Sequence, residues 1–127
     1  MANFIEVMVM AEKIGYPPKK IDLDEQLFMI SDPEEGIQNM IIDCEESIVV
    51  LEQPVIMVGP YIDFEKLLML NRHMSHGAFC LDDDAEWVLW RDTLELANLQ
   101  LEELSLSIHA LTVVIAEHHS ELLEMSR

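Results

Sequence analysis

The strongest evidence for the fold lies in residues 25–58, EQLFMISDPEEGIQNMIIDCEESIVVLEQPVIMV. It holds three runs with the residue types and period of β-strands, namely 26–31, 37–44 and 47–58. Asp32 to Gly36 places proline and glycine in a turn, and Glu45-Glu46 makes a tight reversal. Pro54 cannot donate to a strand ladder, so it marks either an edge strand or a bulge. Connections this short predict three consecutive antiparallel strands.

A short helix is predicted before these strands. Asn3 can cap its start, with Glu6 three positions later to complete a capping box. Gly15 then provides a left-handed end, and Pro17 prevents the helix from continuing. The chain is therefore expected to reach its first strand from a helix with clear ends.

A second helix and a hairpin are predicted after the three strands. Asp63 is expected to cap a helix that runs to about His73. Residues 78–81 and 87–91 then have strand character. They flank three consecutive aspartates, Asp82 to Asp84, which suit the solvated turn of a hairpin.

The C-terminal region predicts a long amphipathic helix. From Leu101 to Leu122 apolar residues recur at steps of three and four, which is the spacing of one helix face. The element order is then helix, three strands, helix, two strands, helix. This order predicts a single α+β domain over residues 1–127, with an antiparallel sheet packed against helices.

The predicted sheet is apolar on both faces. An antiparallel sheet with one solvated face alternates apolar and polar residues, whereas these strands are apolar at successive positions. Helices on both faces would explain this, and so would an apolar face left open for a dimer partner or a client, which is the interpretation we favour. The candidate contacts in the sheet are Phe28, Ile30, Val49 and Leu51. Those in the second helix, which suit either the core or a dimer contact, are Phe64, Leu67 and Leu68.

The charge balance narrows the choice of partners. Seven Lys and Arg residues stand against 25 Asp and Glu, which gives a formal net charge of −18. Phosphate binding needs cations that displace condensed counterions, so this balance argues against nucleic acid and against an anionic membrane surface. It favours basic or amphipathic partners instead. Half of the residues are hydrophobic, which is far too many for a disordered chain.

The cysteines and the N-terminal region predict a cytoplasmic protein. Cys44 and Cys80 lie in apolar runs outside any metal-ligand spacing, so we expect buried, reduced thiols, although a single bridge between them is compatible with the sequence. Residues 1–13 lack the basic start and the cleavage site of a signal peptide. No apolar run approaches the length of a membrane helix.

No motif in the sequence carries catalytic or metal chemistry. The aspartates at 82–84 are consecutive, whereas a calcium loop spaces its carboxylates at alternating positions. His73 and His76 lack the further ligands that zinc requires. No nucleophile elbow, P-loop or dinucleotide fingerprint is present. We therefore expect no enzyme activity, metal or cofactor, and keep a small acidic metal-dependent enzyme only as a remote alternative.

Four segments resemble a known group of proteins. They are LLMLNR at 67–72, GAFCLDDD at 77–84, WVLWR at 87–91 and LQLEEL at 99–104. With the N-terminal helix and three strands, they resemble the type III secretion chaperone-like superfamily, which includes the Tir chaperone family and the YbjN-like proteins. The resemblance implies an α-β-β-β-α-β-β-α fold, usually dimeric, with a low pI and no enzymatic activity. It also implies a protein that holds a client segment in extended form on its surface.

Two expectations about function follow. The first is a homodimeric, chaperone-like module that binds a client segment on an apolar surface of the sheet or the helices. The second is a YbjN-like regulatory or scaffold protein that binds one folded partner. In both cases the partner is a protein rather than a nucleic acid or a membrane.

Overall fold

The structure, a computed structural model, describes residues 2–127, and within them it has four α-helices and six strands. The helices are α1 (Phe4–Ile14), α2 (Phe64–Asn71), α3 (Leu101–Glu117) and α4 (His119–Met125). The strands are β1 (Lys19–Asp22), β2 (Leu27–Asp32), β3 (Ile37–Glu45), β4 (Ile48–Met57), β5 (Ala78–Leu81) and β6 (Trp87–Glu95). A 3-10 turn at Pro33–Glu35 joins β2 to β3. These elements confirm the predicted α+β class with an antiparallel sheet.

The six strands form one sheet in the order β1-β2-β3-β4-β6-β5, and every neighbouring pair is antiparallel. Strand β4 pairs with both β3 and β6, so it lies inside the sheet. Its register shifts between Pro54 and Ile56. Pro54 therefore marks a bulge, the second of its two predicted roles, because an inner strand tolerates proline only where the ladder is interrupted.

Strand β1 is absent from the sequence prediction. All four of its residues, Lys19 to Asp22, are exposed and three are charged, so it lacks the apolar pattern by which strands are recognised. It forms by pairing with β2 across a turn in which the Asp22 side chain accepts a hydrogen bond from the Glu25 amide at 3.0 Å. A short, charged edge strand also protects a sheet from pairing with other chains.

The helix ends follow local sequence signals, with one exception. Asn3 accepts a hydrogen bond from the Glu6 amide at 2.9 Å, and Gly15 ends α1 with a φ of +114°. Helix α2 ends at Asn71, slightly before its predicted end. The exception is the predicted C-terminal helix, which is interrupted at His118, where φ is −120°, so that α3 and α4 are separate.

The helices pack on one face of the sheet, which we call the core face. Buried side chains of this face form a single hydrophobic cluster with residues from all four helices, and they include Phe28, Ile30, Ile42, Val49, Leu51 and Trp90. The alternate side chains of the same strands point the other way, onto what we call the outer face. Within residues 2–127, these outward side chains are not part of the hydrophobic cluster that the helices complete. The apolar members of the outer face include Leu27, Met29, Ile41, Ile48, Val50, Met57, Trp87 and Leu89.

Trp90 anchors the core face next to the β5–β6 hairpin. Its side chain is fully buried, and a Cβ atom built on Gly77 would lie only 2.5 Å from the indole ring. Gly77 also has a φ of +75°, a left-handed conformation that L-amino acids with a side chain rarely adopt. Glycine is therefore required at this position for two separate reasons.

Candidate protein-binding surfaces

The sheet residues selected from the sequence lie in the core. Phe28, Ile30, Val49 and Leu51 are each 0% exposed. They belong to the core face beneath the helices, so in this conformation they leave no surface for a partner. The expectation selected the alternate set of strand residues that points into the core. Because successive side chains of a strand point to opposite faces, it is the neighbours of these four residues that face outwards.

The candidates in α2 are divided between core and surface. Leu67 is buried, whereas Phe64 is 48% exposed and Leu68 is 69% exposed. Together with Leu81 of the edge strand β5, they surround a hollow of about 250 Å³, and we call these four residues the α2–β5 patch. The sequence indicated three members of the patch. It could not indicate Leu81, because that residue reaches α2 only through the folding of the β5–β6 hairpin.

Local hydrogen bonds hold the α2–β5 patch in place. The Asp63 side chain caps α2 by accepting a hydrogen bond from the Lys66 amide at 3.0 Å. At the other end, the Asn71 side chain accepts from the Phe79 amide at 2.7 Å and donates to the Phe79 carbonyl at 3.0 Å. These two bonds fasten the end of α2 to β5. The exposed apolar side chains are therefore presented by a helix with a capped start and with its other end attached to β5.

The outer face is a second candidate surface, and none of the residues selected from the sequence lies on it. Most of its apolar side chains are half-buried, whereas Val50 and Leu89 are buried and Met57 is exposed, and none of them belongs to the core cluster. Each outward cross-strand pair of β3 and β4 joins one apolar and one acidic residue, namely Ile41 with Glu52, Val50 with Asp43, and Ile48 with Glu45. Apolar and acidic side chains therefore alternate across this part of the outer face.

The negative charges on the outer face disfavour the ionised form of Asp43. Burial raises the pKa of Asp43, and the negative charges of Glu45, Glu25 and Glu52 raise it further. Glu52 forms an ion pair with Arg91 at 3.2 Å, which neutralises one of these charges. The remaining acidic groups leave a negative potential directly beside apolar surface.

A groove of about 520 Å³ lies between α3 and the segment that follows α2. Four of the five histidines of the chain line it, namely His73, His76, His109 and His118. Asp92 lies 3.9 Å from Nδ1 of His76 and accepts a hydrogen bond from the Ser107 hydroxyl at 2.7 Å. The hydroxyl therefore bonds to the carboxylate and not to the imidazole, which is not the arrangement that activates a serine nucleophile.

The groups that could carry other chemistry are dispersed. Across residues 2–127, no three His, Cys, Asp or Glu side chains come together in a way that could hold a metal ion. Cys44 and Cys80 are both free, and burial raises the pKa of Cys44 to about 11, which keeps it a thiol. Over the same residues, no helix is both long enough and apolar enough to cross a membrane.

The element order and sheet order define the class of protein: the fold is that of the type III secretion chaperones. The model of the CesT_Tir_1 family matches residues 4–127. The chain therefore belongs to the CesT_Tir_1 family, within the type III secretion chaperone superfamily. The resemblance seen in the sequence is confirmed, and with it a chaperone-like role in binding proteins. None of the curated proteins is significantly similar to this chain in sequence.

Solved structures with the same fold include two complexes. The crystal structure of the ExsC-ExsE complex has a chain 21% identical to this one, with a TM-score of 0.68 and with 96% of this chain and 97% of that chain covered. The HopA1-SchA chaperone-effector complex has a chain 13% identical, with a TM-score of 0.67 and coverages of 90% and 91%. An uncharacterised protein from Methanothermobacter thermautotrophicus is 14% identical, with a TM-score of 0.67 and coverages of 97% and 98%. At these identities the likeness shows the fold alone.

Proposed function

We propose that this chain is a non-enzymatic, chaperone-like protein of the cytoplasm that holds a segment of a client protein on exposed apolar surface. The observation that carries the proposal is the coexistence of a complete core with large apolar side chains left outside it. In α2, Leu67 and Leu70 are buried while Leu68 between them is 69% exposed. Grouped apolar surface of this kind is typical of an interaction site. Membership of a chaperone family supports the same function.

The proposal includes a homodimer that forms through the α2–β5 patch. A two-fold axis at this patch would pack α2 against its own copy, so that each patch covers the other. A protein with a net charge of −18 repels its copies, and self-association is therefore favoured where local charges balance. On α2 the neighbours Glu65 and Lys66 have opposite signs, whereas the outer face is acidic. The charge distribution thus favours the α2–β5 patch over the outer face as the dimer contact.

Light scattering of the purified protein tests the dimer. Leu68→Ser removes the most exposed apolar side chain of the patch without opening the core, so we expect the dimer to dissociate at micromolar concentration. Leu106→Ser is the matched control, because Leu106 is also exposed, at 55%, but lies on α3. The control should remain dimeric. A wild-type monomer, or a dimer that survives Leu68→Ser and dissociates in the control, would refute this contact.

Capture from the native host's lysate, followed by mass spectrometry, tests client binding. We expect one or a few proteins to co-purify, and we expect an isolated segment of the captured protein to bind as well as the whole protein does. That result would identify the client and its bound segment. A wild-type protein that captures nothing, at low and at moderate salt, would remove the main support for the chaperone function.

A regulatory or scaffold protein that binds one folded partner is the second candidate. Its basis is that the fold is not limited to chaperone-effector complexes, since an uncharacterised protein from Methanothermobacter thermautotrophicus matches at the same TM-score of 0.67. One fold can host several functions. The capture experiment separates the two candidates, because a folded partner would bind only as an intact domain and not as an isolated segment.

A further inference from the structure

Helix α3 has two separate apolar stripes, and only one of them is buried. The first stripe, with Leu104, Ile108 and Leu111, is at most 1% exposed and belongs to the core cluster. The second lines the groove between α3 and the segment that follows α2, and in it Leu106 is 55% exposed and Val113 is 38% exposed. One apolar stripe is enough to hold a surface helix on a core. The second stripe is therefore available to a partner.

The same groove gathers most of the histidines of the chain. We call it the histidine groove, because His73, His76, His109 and His118 line it. Among its lining residues, all of which lie within residues 2–127, Glu117 is the one carboxylate. Histidine is the side chain that changes its charge between about pH 5 and pH 8. The groove is therefore apolar surface that becomes more positive as the pH falls.

Two of these histidines already face carboxylates of the chain itself. Nδ1 of His76 lies 3.9 Å from Asp92 on β6. At the junction of α3 and α4, Nδ1 of His118 lies 3.4 Å from Glu121 on α4, and its Nε2 lies 4.0 Å from Glu117 on α3. Positive charge on His76 and His118 is therefore balanced within the protein.

His73 and His109 are the histidines left for a partner. Both are exposed, and within residues 2–127 neither takes part in an ion pair. Arg72 precedes His73 in the chain and adds a permanent positive charge, whereas Lys66 on α2 is already paired with Glu121 at 3.5 Å. Protonated imidazoles donate charge-assisted hydrogen bonds to carboxylates. A partner that brings carboxylates to His73 and His109 would therefore be complementary to the groove.

The geometry of α3 limits the conformation of the occupant. From Leu106 to Glu117 the groove follows α3 for about 17 Å at ~1.5 Å per residue, which is about three helical turns. The backbone groups of α3 are paired within the helix, so this wall offers side chains only. An extended segment would lose water from its own N–H and C=O groups without gaining partners there. A helix satisfies those groups internally and can pack its apolar stripe on that of α3.

We infer that the histidine groove binds an amphipathic helix of a second partner protein, whose apolar stripe is flanked by aspartate or glutamate, and that this binding tightens as the pH falls. The apolar stripe packs on Leu106 and Val113, and the flanking carboxylates reach His73 and His109. The inference goes beyond the proposed function, because the groove shares no residue with the α2–β5 patch and takes a partner of the opposite charge to the one that the whole protein favours.

The net charge of the protein opposes an acidic partner mainly at long range. A formal charge of −18 slows its approach. At physiological ionic strength, however, exposed charges more than about 8 Å apart are largely screened, so the imidazoles beside the docked helix matter most. A basic helix would gain from the net charge, but it would meet protonated histidines in this groove. Its affinity would therefore not rise as the pH falls, and this difference separates the two kinds of helix.

The first test measures binding of synthetic peptides of about 18 residues to the full-length protein by fluorescence anisotropy. The first peptide has a leucine stripe flanked by glutamate, the second has lysine in place of each glutamate, and the third has the glutamate peptide's composition without a stripe. All three are acetylated and amidated, so that their ends do not titrate. We expect the glutamate peptide to bind at least about tenfold more tightly at about pH 6 than at about pH 8, and the lysine peptide to show no such gain. A glutamate peptide that binds equally at both pH values, or a third peptide that binds as tightly, would overturn the inference.

Histidine variants locate the origin of the pH dependence. His73→Gln with His109→Gln keeps polar side chains but removes both titrating groups, so the gain between about pH 8 and pH 6 should shrink to less than about threefold. His119→Gln is the matched control, because His119 is exposed and does not line the groove. It should keep the gain within about twofold. A control that loses as much of the gain as the double variant would assign the pH dependence to the overall charge and overturn the inference.

Apolar variants locate the binding surface. Leu106→Ser should weaken the glutamate peptide by about tenfold at about pH 6. Ile5→Ser is the matched control, because Ile5 has the same exposed fraction of 55% but lies on α1. It should leave the affinity within about twofold. The reverse result would move the site away from the groove. A dimer that dissociates on Leu106→Ser would assign the groove to a second copy of this chain, with the same consequence.

A measurement on the wild-type protein avoids any effect of the variants on folding. In NMR spectra of the histidine rings, the glutamate peptide should shift the signals of His73 and His109 and leave those of His119 in place. Shifts confined to His119 would contradict docking in the groove.

This inference and the proposed function fail separately. If a client is captured from the lysate but the glutamate peptide does not bind, the groove inference is wrong and the client-binding function stands. If the glutamate peptide binds in the groove but no client is captured, the groove inference stands without that function.

Discussion

The two faces of the sheet are built from neighbouring residues of the same strands, and yet only one face is covered. Ile42 is 0% exposed beneath the helices, whereas Ile41, the residue before it, is half-buried on the outer face. The two residues are both isoleucines and are adjacent on strand β3. What differs is the direction of the side chain and the presence of helices on that side. The comparison shows that an apolar strand residue becomes core or surface according to what packs against its face.

The largest effect on stability is expected for Ile42→Ala, and Ile41→Ala is the variant to compare with it. We expect Ile42→Ala to lower the free energy of unfolding by about 4 kcal/mol, because it removes three buried carbons and leaves a cavity. Ile41→Ala should cost roughly 1 kcal/mol, since its side chain is partly solvated and no cavity forms. Urea unfolding of the two variants measures the difference. Similar losses of stability would mean that the outer face is packed as tightly as the core face.

The next largest effect concerns the support of the core face at Trp90. Gly77→Ala places a Cβ atom 2.5 Å from the indole and forces alanine into a φ of +75°, so we expect a loss of about 3 kcal/mol from overpacking and backbone strain. Gly15→Ala is the control, because Gly15 also has a positive φ but no atom within 4 Å of the added Cβ. It should cost about 1 kcal/mol. Thermal unfolding followed by circular dichroism compares them, and a control as unstable as Gly77→Ala would remove the indole contact as the cause.

A smaller effect is expected for the charge at Asp43 on the outer face. Its pKa is raised above the ordinary value of 3.8, so the folded state binds this proton more tightly than the unfolded state does. The free energy of unfolding therefore falls as the pH rises from near 3.8 through the raised value. Asp43→Asn removes this dependence, and it should stabilise the protein at neutral pH by ~0.5 kcal/mol after allowance for solvent screening.

Urea unfolding of wild type and Asp43→Asn at several pH values checks this sign. The two proteins should have closely similar stability under acidic conditions, where the aspartate is protonated in both states, and should diverge as the pH rises. A variant that is less stable than wild type at neutral pH would show that the Asp43 carboxylate is stabilised rather than strained by its surroundings.

The smallest effect is expected for the exposed ion pair of the outer face. Arg91→Met keeps most of the side chain's apolar length but breaks the 3.2 Å contact with Glu52. Because both partners are substantially exposed, we expect a loss of only ~0.3 kcal/mol, which disappears in high salt. Urea unfolding at low and at high salt measures it. A loss that persists at high salt would indicate that Arg91 acts through packing and not through its charge.

Much of the fold could be predicted because its signals are local. Asn3 and Gly15 set the ends of α1, since each acts through the backbone of near neighbours. Pro54 predicted either an edge strand or a bulge, and the sheet order decided for the bulge. Strand β1 could not be found in this way, because its exposed, charged residues have no strand pattern and it depends on pairing with β2. The separation of α3 from α4 at His118 also has no glycine or proline to announce it.

The candidate surfaces were only partly predictable. Phe64 and Leu68 could be singled out on α2, but whether they are core or surface depends on how α2 sits against β5. On the sheet, both alternate sets of residues are apolar, so parity in the sequence divides them into two groups without saying which group is covered. The set that we selected, represented by Phe28 and Leu51, proved to be the covered one.

Residue types and local patterns were enough to predict the α+β class, five of the six strands, the acidic character of the protein and its membership of a chaperone family. These properties depend on residue type and on interactions between residues close along the chain. Three features became visible only in the folded chain: which face of the sheet is core, the place of Leu81 in the α2–β5 patch, and the alternation of carboxylates with apolar residues on the outer face. The physical reason is that burial and cross-strand pairing join residues distant in sequence, and strand periodicity specifies alternation without specifying coverage.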